Sequence, residues 1–199
     1  MNDEPAPIYL LSAKGDDCPA ELHFGIKPEH LSDWLYKWQP FLEEKLKNIP
    51  AALRPQHPHW NWLKKQMVYG GQIAMSSYAI TCNGETQGLM WVNKTKYSQM
   101  EAAKGKPLVY IEFLSSAPWN DRRLQSPVCY KGVGSIMVKA AINLSVDEEF
   151  KGRIGLHSLP QAEPFYNKMG LCDLGIDHSH QSLRYYEMTE EQAGLILDS

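Results

Sequence analysis

The sequence predicts an α/β or α+β domain built on a mixed sheet, and three observations carry that prediction. Hydrophobic periodicity switches repeatedly between helical steps of three and four and the short apolar runs of strands. The run LVYIEFLSSAP at 108–118 is nearly continuous in apolar character, as in a central strand buried on both faces. The elements also follow one another as strand, helix, helix, hairpin, strand, helix, strand, helix, strand. The 199 residues are read as a single domain, 1–199, and a composition that is 43% hydrophobic and 22% charged supports a sizeable core.

Each element has its own local reason. IYLLSA at 8–13 reads as a strand. From 28 to 50, Leu31, Trp34, Leu35, Trp38, Phe41, Leu42 and Leu46 recur at helical spacing, and Pro40 is expected to kink or divide that helix. A proline-rich connection at 50–59 leads to a shorter helix at 60–69, stopped by Gly70 and Gly71. Residues 73–82 and 85–93 are β-type runs flanking Asn83-Gly84, a strong hairpin signal because both turn residues must take positive φ. The polar stretch 94–107, with Lys94, Lys96, Lys104 and Lys106, is expected to be a solvated loop, and 119–131 is irregular. Val133, Ile136, Met137, Ala140, Ala141 and Leu144 then form a clean apolar helical stripe. A strand at 152–159, a short helix at 160–171 ending at Gly170, a strand at 182–188 and a Thr-capped helix at 189–197 complete the chain.

Gly132-Val133-Gly134 directly precedes the amphipathic stripe. Two glycines there permit a sharp turn and a close approach to the backbone. The unpaired N–H groups and positive dipole of a helix N-terminus make a phosphate the natural guest. A P-loop is excluded, because Ser135-Ile136 stand where Lys and Ser/Thr are required. A dinucleotide-binding turn is excluded by Met137 at the third glycine position and by the thirteen residues between Pro118 and Gly132.

The order of elements and two motifs resemble the GNAT superfamily of acyl-CoA-dependent N-acyltransferases. Gly132 and Gly134 match the glycines of its Q/R-x-x-G-x-G/A signature. Phe165, Tyr166, Lys168, Gly170 and Leu171 match its later F/L-Y-x-K-x-G-F/L signature, with Ala162 four residues before the tyrosine. The resemblance spans roughly residues 8–188 and is tightest over 108–171. Cys129 departs from it, standing at the Gln/Arg position.

The resemblance implies a central mixed, mostly antiparallel twisted sheet flanked by helices. It implies an acetyl-CoA-binding core at 108–171 and N-terminal helices at 28–69 on the acceptor side. It implies transfer of an acetyl group from acetyl-CoA, as cosubstrate, to an amine by direct attack. The cofactor-binding residues are then Lys131, Gly132, Val133, Gly134 and Ser135 around the pyrophosphate, with Lys131 available to supply charge. Leu114, Ser115 and Ser116 offer backbone that pairs with the pantetheine arm like an added strand. Tyr166 takes the role of acid toward the leaving thiolate, against a reading in which it only packs beside Phe165. Glu112 is the candidate base, because a carboxylate in an apolar strand is costly unless it is paired or at a wet cleft; a structural ion pair is the competing reading. His157 is the second candidate base. A catalytically silent acyl-CoA-binding protein on the same fold is the alternative to an enzyme.

The remaining features are read plainly. A net charge of −3 argues against a general nucleic-acid binder and weakly favours a cationic acceptor. The longest apolar runs fall short of a membrane span, and MNDEPAP is the opposite of a signal peptide's basic start. Cys18, Cys82, Cys129 and Cys172 are widely spaced, which suggests free thiols in a reducing cytoplasm. His57-Pro58-His59 and Asp177-His178-Ser179-His180 lack a third convincing ligand in sequence, so solvated turns and no metal are expected. The Trp34/Trp38 and Trp60/Trp62 pairs are read as core or rim. The acceptor amine, small molecule or protein, is not legible, and a homodimer stays open.

Overall fold

The computed structural model describes residues 4–198. Nine strands are β1 (Ala6–Ser12), β2 (Asp17–Phe24), β3 (Met75–Cys82), β4 (Glu85–Tyr97), β5 (Pro107–Ser116), β6 (Tyr130–Lys131), β7 (Ile154–Ser158), β8 (Cys172–Asp177) and β9 (Leu183–Met188). The helices are α1 (Pro28–Asp33), α2 (Gln39–Leu46), α3 (Trp62–Tyr69), α4 (Val133–Asp147), α5 (Glu163–Lys168) and α6 (Glu190–Leu197). Hydrogen-bonded neighbours in the sheet run β6-β1-β2-β3-β4-β5-β7-β9-β8. The sheet is mixed: β5 and β7 are parallel, whereas β1 pairs antiparallel with β2 and β6, and β9 with β7 and β8. The chain divides into two compact units. The first takes in the chain up to Met90 together with Leu114–Gly134, and the second holds Trp91–Phe113 and the chain from Ser135 on.

In the first unit the expected long helix is α1 and α2 joined through a wide π turn at Trp34–Trp38. Pro40 has no N–H to give. The chain absorbs this one turn earlier, where the Gln39 N–H reaches back to the Trp34 carbonyl. Trp34 and Trp38 are buried. The Trp38 indole donates to the Thr86 carbonyl at 2.9 Å, and Asp33 Oδ2 accepts from the Thr86 N–H and hydroxyl at 2.8 and 2.9 Å. These bonds fix the helix to the start of β4. α3 begins two residues later than the expected 60, with Asn61 Oδ1 accepting from the Lys64 N–H at 2.9 Å. Asn83 and Gly84 both take positive φ, as the hairpin requires.

In the second unit α4 buries Met137, Val138, Ala140, Ala141 and Ile142. Its last turn is tied down by the Ser145 hydroxyl, which donates to the Arg153 carbonyl at 2.7 Å. α6 opens with a capping box. Gln192 N–H donates to Thr189 Oγ1, and Gln192 Oε1 accepts from the Thr189 N–H.

One expectation is corrected, and two strands carry no signal in the sequence. Residues 94–107 are not one long loop: β4 continues to Tyr97, and Lys94 pairs with Glu148 at 2.8 Å. β2 reads as no strand in sequence because it contains Pro19 and only Ala20 and Leu22 of its residues are buried. β8 was not anticipated because it is an edge strand with largely exposed side chains and a register break between Asp173 and Ile176. Such a strand needs little apolar patterning. The four cysteines are unpaired, and no helix among the described residues is long and apolar enough to cross a membrane.

Candidate active site

The glycine turn occupies a built position in the first unit. β6 pairs antiparallel with β1 through Leu11–Lys131 and Ser12–Tyr130. Gly132 then turns the chain with φ of +95°, and α4 starts at Val133. A Cβ at Gly132 would meet no atom within 4 Å, so glycine is required there by backbone conformation and not by packing. The turn borders a cleft of about 130 Å³ lined by Ser116, Asn120, Arg122, Val128, Tyr130, Lys131, Gly132, Val133 and Gly134. The first N–H groups of α4 have no partner within the helix, and they open at this place.

Asn120, in the lining of the cleft, is held by a buried amide. Gln87, 1% exposed, accepts through Oε1 from the Trp119 indole at 2.8 Å and from Asn120 Nδ2 at 3.0 Å. Asn120 Oδ1 in turn accepts from the Tyr130 N–H at 2.8 Å. The Tyr130 hydroxyl accepts from Asn83 Nδ2 at 2.8 Å. This chain of bonds gives the irregular 119–131 segment a fixed course into β6.

Of the residues singled out from sequence, Ser116, Lys131, Gly132, Val133 and Gly134 come together in this cleft. Leu114 and Ser115 are not in its lining. Ser115 is buried and its hydroxyl turns to the Ser116 carbonyl at 3.2 Å. Ser135, Glu112 and Tyr166 belong to the second unit. Sequence reasoning missed Asn120, Val128 and Tyr130. Arg122 lines the cleft, whereas Arg123 is engaged by Asp121 at 2.7 and 2.9 Å. Cys129 accepts from Gln125 Nε2 at 3.2 Å, outside the lining.

In the second unit Tyr166 is 7% exposed and packs against Phe165 and Tyr186, with ring centroids 5.0 and 6.0 Å away. Burial pushes its phenol well above the ordinary range, so it stays protonated. Glu112 is half-buried and accepts from Asn93 Nδ2 at 3.1 Å. Among the described residues no lysine or arginine forms an ion pair with it. The β5–β7 ladder pairs Val109–Ile111 with Ile154–Leu156, so Glu112 itself has no β7 partner in the ladder. His157 bonds Tyr110 and Asp177 through its two ring nitrogens, at 2.7 and 3.0 Å. Its pKa is lowered by burial, against the pull of Asp177.

No protein-family profile matches the sequence, and no curated protein matches it. Solved structures do. The GNAT domain of S. lividans PAT superposes with a TM-score of 0.56 at 13% identity, over 92% of this chain and 96% of that one. Mycobacterium smegmatis RimJ, solved with CoA-disulfide, gives 0.53 at 13% identity over 99% and 94%. An acetyltransferase from Streptococcus agalactiae gives 0.52 at 14% identity over 84% and 96%. The chain has the fold of the GNAT acetyltransferases.

Proposed function

We propose that the protein is an N-acetyltransferase that passes the acetyl group of acetyl-CoA to an amine by direct attack. The observation that carries this reading is the cleft over the β6–α4 turn. There the free N–H groups of a helix start, an open glycine and the cations Lys131 and Arg122 converge on a fold shared with acetyltransferases. That RimJ was solved with a CoA disulfide supports the same ligand class. In this reading the amides of 131–135 hold the pyrophosphate, Arg122 supplies the charge that Cys129 lacks, and the backbone of Leu114–Ser116 pairs with the pantetheine arm. The unpaired cysteines support the cytoplasm as its compartment.

Two protons must move. A free alkyl ammonium is deprotonated only about once in two thousand at pH 7, so the amine needs a base. Glu112 takes that proton, directly or through a water; its hydrogen-bond partner is the neutral amide of Asn93. The amine nitrogen bonds to the acetyl carbon, the carbon–sulfur bond breaks, and the departing thiolate takes the Tyr166 proton. Burial keeps that phenol protonated before the step, and the amine's proton returns to it from Glu112 through water once the thiol has left. The test is thiol release from acetyl-CoA across a panel of small amines, polyamines and lysine peptides, with the product identified by mass. Amine-dependent release supports the reading. CoA binding with no turnover on any amine contradicts it.

A further inference from the structure

We propose that His157, Asp177 and His180 form a binding site for a divalent late first-row metal, Zn²⁺ being the probe. In sequence Asp177 and His180 lack a third ligand; the fold supplies it from β7, twenty residues earlier. One donor atom of each residue lies within 4.8 Å of the others. All three residues belong to the second unit, and the proposal does not rest on the acetyltransferase reading.

The surroundings prepare each ligand. His157 Nδ1 is bonded to the Tyr110 hydroxyl at 2.7 Å, which fixes the ring and leaves Nε2 for the metal. Tyr110 is then the outer partner that metal-bound imidazoles usually have. Asp177 Oδ1 accepts from the Ser179 N–H at 2.8 Å and from its hydroxyl at 2.6 Å, so Oδ2 is the oxygen turned toward His157 Nε2, at 3.0 Å. Two metal bonds of about 2.0–2.1 Å across that gap subtend roughly 95°, so a tetrahedral ion needs the pair to open by only a few tenths of an ångström.

His180 must move. Its ring stacks on His157 with centroids 4.1 Å apart and planes 12° apart. Lone pairs lie in the ring planes, so a metal in the plane of His157 lies off that of His180. His180 is exposed and sits in the turn closed by its own N–H to the Asp177 carbonyl at 3.1 Å. Rotation about its side-chain bonds therefore costs no core packing. Two imidazoles, one carboxylate and an open fourth position suit zinc, not magnesium or calcium, which take oxygen ligands.

The test is calorimetric titration of the EDTA-treated, chelator-free full chain with Zn²⁺. One site per chain is expected, weakened at least tenfold in His180→Ala and in Asp177→Asn, and unchanged in His178→Ala, whose ring lies in the same turn but outside the cluster. His180→Ala removes only an exposed side chain, so its folding is not at issue. Cobalt substitution should give a d–d spectrum without thiolate charge transfer. Failure of Zn²⁺ to bind, equal affinity in wild type and His180→Ala, or a thiolate signature overturns the site and leaves Asp177–His157 as a hydrogen bond that only locks the turn.

Discussion

Lowering the pH should destabilise the fold through His30, and the size of the effect can be worked out from its surroundings. His30 is 1% exposed, and its Nδ1 accepts from the Lys27 N–H at 3.0 Å, so the neutral ring carries its proton on Nε2. That Nε2 is buried without a partner, as is Nδ1 of His23, whose ring lies 4.7 Å away. A second proton on His30 would put a charge in a buried site beside another imidazole. Burial accordingly brings its pKa down from 6.5 to about 4. The unfolded chain binds the proton first, so stability is complete above about pH 7 and is lost as pH falls toward 4. A fall from 6.5 to about 4 is worth about 3 kcal/mol at 1.36 kcal/mol per tenfold change, of which about 2 kcal/mol is lost by pH 5. The assay is urea unfolding at pH 7.5 and pH 5 for wild type and His30→Asn. The Asn side chain keeps an acceptor for Lys27 and cannot titrate. It should start less stable but lose about 2 kcal/mol less between the two pH values. An equal loss in both proteins would refute the reasoning.

Tyr166→Phe keeps the ring and removes only the hydroxyl. If Tyr166 is the acid, CoA affinity and folding should hold while kcat falls roughly 10²–10⁴-fold with an accepted amine, and full activity would remove it from the mechanism. Gln87→Leu should strip the Trp119 and Asn120 donors of their acceptor and cost about 1–3 kcal/mol in chemical denaturation for the buried Trp119 donor left unsatisfied, the half-buried Asn120 amide turning to water. A change below about 0.5 kcal/mol would show that water replaces the amide.

Legibility followed the strength of the local signal. The apolar stripe of α4, the central run of β5 and the Asn83-Gly84 turn each dictate their structure from neighbouring residues alone. β2 and β8 do not, because ladder bonds to neighbouring strands hold them more than their own side chains do. The glycine turn was legible because a Gly-x-Gly before an amphipathic run has few uses. Arg122 and Asn120 were not, since a segment without periodicity takes its course from Gln87, more than thirty residues earlier. The triad of His157, Asp177 and His180 was hidden for the same reason: a strand and a distant turn are brought together only by the β7–β9–β8 pairing.

The claim that the β6–α4 turn holds the CoA pyrophosphate is tested most directly by titrating CoA calorimetrically against wild type and Gly134→Leu. Leucine is the better helix former, so α4 should be kept while a bulky side chain stands at the lining of the cleft. Circular dichroism checks that the fold is intact. CoA should bind the wild type at one site per chain and bind the variant at least tenfold more weakly. Equal affinities, with the variant folded, would contradict the assignment.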